Sequence, residues 1–145
     1  MFMLQGRGGD GKSLTMAILR AALGDYSIVS DVKTWLSVGP RGGDGPSEDR
    51  ARFAGASRLV STAEPPTGSA LNDELIKQFT GGDTMTARGL NMPTIQFDPV
   101  GKLVMEVNTK PRVKGDDDGI WRRIWVVPFR VQIPREAQDL GLKAR

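Results

Sequence analysis

The chain has 145 residues, 39% of them hydrophobic and 26% charged, which suits one globular domain with a single core. With Cys 0 and His 0, disulfides, thiolate nucleophiles, histidine bases and the usual zinc ligand sets are excluded, and any metal must sit on oxygen. Lys+Arg 20 against Asp+Glu 17 gives a net charge of +3, which alone does not indicate a nucleic-acid partner. No apolar run approaches the roughly 20 residues of a membrane span, and the N-terminus lacks the pattern of a signal peptide, so the expected location is cytoplasmic with no membrane partner.

In chain order, residues 1–5 read as a buried strand. Lys12–Leu23 carries Leu14, Ala17, Ile18, Ala21 and Ala22 on one helical face and is closed by Gly24. Residues 39–49 (GPRGGDGPSED) read as a surface loop, 48–54 as a short helix and 58–63 as a strand. Residues 71–79 form an expected helix ended by Gly81 and Gly82. Residues 84–87 and Thr94–Phe97 flank 88–93 as a hairpin, Lys102–Val107 and 124–129 are two more strands, and 134–145 is expected to be a frayed or truncated helical tail. Alternating strands and helices predict an α/β fold with a mainly parallel central sheet.

The sequence Gly6-Arg7-Gly8-Gly9-Asp10-Gly11-Lys12-Ser13 fits G-x-x-x-x-G-K-[ST], between an expected strand and an expected helix. Glycines let the backbone curl so that successive N–H groups face one phosphate. The helix N-terminus, reaching to Leu14, adds its dipole, Lys12 reaches the outer phosphates and Ser13 ligates magnesium. ATP and Mg2+ are the expected cofactors. Four later features narrow the class. Arg58–Glu64 is an apolar segment ending in a carboxylate, suited to a magnesium ion or an attacking water. Lys77 lies on a helix just before a glycine turn. Asn108 ends a strand, where its amide can orient the water. Arg122 and Arg123 open the last strand, where a guanidinium can reach a neighbouring subunit's nucleotide.

In this order, GRGGDGKS, RLVSTAEP, ELIKQFTGGDTMTARGL and FDPVGKLVMEVNTKPRVKGDDDGIWRRIWVVPF resemble the superfamily 3 helicase domain of phage and plasmid primase-helicases, in the poxvirus-like, primase-associated branch. The resemblance implies an AAA+-like P-loop ATPase of three layers over residues 1–130, with a hairpin before the sensor strand and a tail over 131–145. It also implies an ATP-driven hexameric ring acting on single-stranded or forked DNA, with a primase module in cis or in trans and a phage, plasmid or prophage origin in a bacterial host. By that resemblance Glu64 is the Walker B acid and a metal ligand with Ser13, and Asn108 is the first sensor. Lys77 with Arg123, or Arg122 in its place, acts across a subunit interface, and the hairpin touches DNA through Arg88 and Asn91. The missing flanking modules make the chain read as a trimmed domain. A small-molecule or nucleotide kinase, and a nucleotide-gated DNA-binding module without turnover, remain as alternatives. Two departures stand out. Ala63 precedes Glu64 where such motors often carry a second acid, and Glu106 shares a strand face with Val104 and Asn108, either as a second acid or as an arginine's partner.

Overall fold

The computed structural model describes residues 1–37, 48–55, 57–113, 118–139 and 141–142. In chain order its elements are β1 (Phe2–Gln5), α1 (Lys12–Leu23), β2 (Ser27–Ser30), α2 (Glu48–Ala51), β3 (Leu59–Thr62), α3 (Asp73–Gly81), β4 (Met85–Arg88), β5 (Thr94–Phe97), β6 (Lys102–Val107), α4 (Asp118–Trp121) and β7 (Trp125–Pro128). Five strands make one sheet in the order β2-β3-β6-β1-β7, every pair parallel, while β4 and β5 form a separate antiparallel hairpin ahead of β6. The chain is thus a mixed α/β protein of P-loop type. Right-handed crossovers place helices on both faces of such a sheet, and loops at the carboxyl ends of its strands gather the site.

Register sorts the side chains. Phe2 and Leu4 share a face with Val104, Glu106, Trp125 and Val127, and Met3 shares the other with Met105 and Val126. On the first face α1 seats the fully buried Met16 against Leu4, Leu59 and Val104. The opposite face carries the larger core, where Leu75, Ile76 and Phe79 of α3 and Ile120 of α4 cover Met3, Val60 and Met105. Fully burying each such side chain contributes roughly 1.5–3 kcal/mol. Trp35, fully buried, stacks on Phe53 at 5.3 Å and meets Phe79 edge-on at 5.2 Å. Its indole N–H donates to Ser30 Oγ at 2.8 Å, and that hydroxyl donates to Asp49 Oδ2 at 2.6 Å, so one polar chain ties β2 to α2 beside the aromatic cluster.

The expected elements appear within a residue or two, with differences that include α4, a short helix the sequence pattern does not predict. A strand at Ser27–Ser30 pairs with β3, although Ile28 and Val29 are its only apolar residues and Val29 is 53% exposed. Of the loop expected at 39–49, residues 39–47 lie outside the described residues, and Glu48 and Asp49 already belong to α2. Of the helical tail expected at 134–145, the described residues show a 3-10 turn at Arg135–Ala137 and no α-helix; residues 140 and 143–145 lie outside the described residues. Pro134 opens that turn, and the Ile133 N–H donates to the Gly9 carbonyl at 2.8 Å, which ties the segment to the phosphate loop.

Candidate nucleotide site

The loop after β1 begins by prolonging the sheet, since the Gly6 N–H donates to the Val107 carbonyl at 3.1 Å. It then turns through Gly8, Gly9 and Gly11 at φ 94°, 64° and 87°, values that a side chain would strain. Helix α1 starts at Lys12 with no side-chain cap from Gly11 and no acid in its first turn, so apart from the Lys12 N–H, which Asp10 engages, its first N–H groups and its dipole suit an anion. Gly6 is glycine for a different reason, because a Cβ there would collide with the Asp10 carboxyl group and the Phe129 carbonyl.

Asp10 holds the loop's cation. Its Oδ2 lies 2.6 Å from Lys12 Nζ, and its Oδ1 accepts the Lys12 backbone N–H at 3.3 Å, with both side chains at most 6% exposed. Burial pushes the Asp10 carboxyl up, but the hydrogen bonds from Lys12 and the charge of its ammonium outweigh this and hold it below the usual carboxylate value. A phosphate entering the loop therefore competes with an existing carboxylate for Lys12.

Two glutamates face the loop from neighbouring strands. Glu64, two residues past β3, accepts the Asn108 backbone N–H at 3.0 Å on Oε1 and the Asn108 side-chain amide at 2.7 Å on Oε2. Glu106, on β6 in register with Leu4, accepts the Ser13 hydroxyl at 2.6 Å on Oε2. The partner of Glu106 is therefore a hydroxyl of the phosphate loop in place of an arginine. The phosphate loop from Gly8 to Leu14, Glu64, Glu106 and Asn108 line one cleft of about 820 Å³, closed on one side by Ile133, Gln138 and Leu142. Its size is that of a ligand pocket. Gly6 lines the adjoining hollow with Arg7, Lys110 and Arg130, and Asn108 borders both.

Among the described residues no three acids cluster into a metal site by themselves. The donors present nonetheless fit magnesium beside a nucleotide, which takes one or two carboxylates and a hydroxyl from the protein and the rest from phosphates and water. The remaining candidates lie elsewhere. Lys77 is on α3 and Arg122 and Arg123 follow α4, which packs on α3; none of the three lines the cleft. Arg123 donates from Nη1 to the Gly119 carbonyl at 2.6 Å. Arg88 ends β4 and Asn91, at φ 56°, sits in the hairpin turn between exposed Leu90 and Met92; Arg88 and Asn91 are both exposed. The part of the cleft wall supplied by Ile133, Gln138 and Leu142 carried no sequence signal.

No protein-family model matches the chain. It is 36% identical over 128 residues to the protein named "Putative helicase L207/L206" of Acanthamoeba polyphaga mimivirus. It is 31% identical over 127 residues to "Putative helicase 022R" of Frog virus 3 (isolate Goorha) and 29% identical over 143 residues to "Putative helicase 184R" of Invertebrate iridescent virus 6. These matches cover 88%, 86% and 95% of this chain but only 13%, 13% and 14% of the relatives. In fold it is similar to two A-form apo structures of the NrS-1 C terminal region, each at a TM-score of 0.69 over 99% of this chain, with 13% and 16% identity and 31% and 32% of the larger chains covered. The chain is thus similar to one segment of proteins named as putative helicases and spans about an eighth of their length. These curated relatives are proteins of eukaryotic viruses and lend no support to a phage or plasmid origin. Among the described residues no helix is long and apolar enough to cross a membrane.

Proposed function

We propose that this chain is the ATP-hydrolysing motor core of a DNA helicase. One observation carries the reading: the cleft gathers Lys12 and Ser13 from the start of α1 with Glu64 and Asn108 from just past β3 and β6, the four roles that phosphoryl transfer to water requires. Lys12, released from Asp10, binds the outer phosphates, and α1 offers its N-terminal N–H groups to them. Glu64 polarises the attacking water and is held in place by the two bonds from Asn108. Magnesium, when bound, neutralises charge on the phosphates; Ser13 and the cleft carboxylates are the residues that hold it.

The hairpin β4–β5 carries Arg88 and Asn91 toward single-stranded DNA, and Lys77 and Arg123, with Arg122 as the alternative to Arg123, act on the nucleotide of a neighbouring copy in a ring. Their placement away from their own cleft supports a role in trans. ATP turnover of the purified chain, measured with and without single-stranded DNA, tests the proposal. Turnover stimulated by DNA and lost in Lys12→Ala is expected. A folded Lys12→Ala protein with unchanged ATP affinity and turnover would overturn it.

A further inference from the structure

We infer that Glu106 is the metal-side carboxylate of the cleft, leaving Glu64 to the attacking water. The inference rests on the reading of the cleft as a nucleotide site and divides the labour within it. Strand spacing decides between the two acids. Adjacent strands lie about 4.8 Å apart, so β6 brings Glu106 one spacing from β1, whereas Glu64 follows a strand about 10 Å away. The register and the contact agree, since Glu106 stands beside Leu4 and already meets the Ser13 hydroxyl at 2.6 Å. A hydroxyl that donates its proton to a carboxylate keeps oxygen lone pairs free for a hard cation. Both oxygens of Glu64 are engaged by Asn108.

Charge balance points the same way. Among the described residues the recorded partner of Glu106 is the Ser13 hydroxyl, and no ion pair with a lysine or arginine is recorded for it. A half-buried carboxylate on a central strand, facing an anion site and without a cation, is costly unless a bound cation compensates it. Ala63, the residue before Glu64, offers no donor of its own.

The test is equilibrium binding of a non-hydrolysable ATP analogue to the full chain, with Mg2+ and with EDTA, for wild type, Glu106→Gln, Glu64→Gln and Lys12→Ala. The readout is the ratio of the two affinities. Glu106→Gln should lower the gain from Mg2+ by about tenfold or more, the scale on which a metal ligand or its partner acts. Its Mg2+-free affinity should stay level or rise, because one negative charge fewer faces the phosphates. Glu64→Gln should keep the gain and lose turnover. If Glu106→Gln does not fold, Glu106→Asp, with its carboxylate drawn back by one methylene, should lose part of the gain. Full Mg2+ dependence in the Glu106 variants with loss of it in Glu64→Gln overturns the inference while the nucleotide site stands. Binding of the analogue that Lys12→Ala leaves unchanged overturns the nucleotide reading, and the inference with it.

Discussion

The ion pair inside the phosphate loop makes a quantitative claim about its own removal. At 2.6 Å and an effective dielectric near 20, the attraction between Asp10 and Lys12 is about 6 kcal/mol before desolvation is subtracted. Stripping two charges of water removes most of it, and a net coupling of about 1–3 kcal/mol remains. Lys12→Ala strands a shielded carboxylate and Asp10→Ala strands a shielded ammonium. Fully buried cases cost about 3–5 kcal/mol, but this pair borders an open cleft that admits water, so about 2–3 kcal/mol is expected for each. For a chain of this length that is a fall in Tm of roughly 4–12 °C. The double variant Asp10→Ala/Lys12→Ala leaves no stranded charge and should lose less than the sum of the two single variants. Thermal and urea melts at neutral pH measure the cycle. Additive losses in the double variant would show that the pair contributes nothing and refute the reasoning. The pH dependence supplies a second check. Asp10 is held below its ordinary value, so its contribution is complete above about pH 4 and is lost as pH falls through the lower folded value; the cost of Lys12→Ala should shrink over the same range.

Trp35→Ala removes the centre of the aromatic cluster and the donor to Ser30, and should cost about 3–5 kcal/mol in a urea melt; a loss under about 1 kcal/mol would mean the cluster repacks. Glu64→Gln should bind ATP and hydrolyse it at least about a hundredfold more slowly in a single-turnover assay; hydrolysis at the wild-type rate would remove Glu64 from the water. Arg88→Ala should reduce the salt dependence of single-stranded DNA binding by about one phosphate contact per chain, and an unchanged slope would move the DNA site away from the hairpin. Mixing Arg123→Ala with Lys12→Ala protein should restore part of the lost turnover, while a mixture that stays inactive would place Arg123 outside the neighbouring site.

Much of this fold is written in local pattern. Lys102–Val107 and Lys12–Leu23 are legible because apolar residues recur at strand and helix spacing and glycines mark the ends, and the phosphate loop because its glycines, Lys12 and Ser13 are consecutive. β2 is not, since an edge strand of two apolar residues draws its stability from pairing with β3. The partner of Glu106 could not be read either. Ser13 lies 93 positions away, and only the parallel register of β6 on β1 brings the two together. Alternation alone marked Glu106 as out of place on its strand without saying what it faced. The 134–145 segment misled because polar residues with scattered apolar ones imitate a helix, whereas Pro134 and the bond to Gly9 set its course.

The backbone bond from Ile133 to Gly9 turns the phosphate loop into a three-way junction. A loop anchored only by the strand before it and the helix after it can rearrange around a ligand in private. This one has a third tie, because Gly9 is bonded to a strap of residues 129–133 that runs on from β7, the strand at the sheet's edge where Trp125 stands 67% exposed, and is bonded to β1 through Phe129 and Gln5. In the proposed nucleotide site, a phosphate that takes the place of Asp10 at Lys12 would act on this strap as on a short lever whose other end is β7. The Trp125 indole, already in water, is a native fluorophore at the far end of that lever.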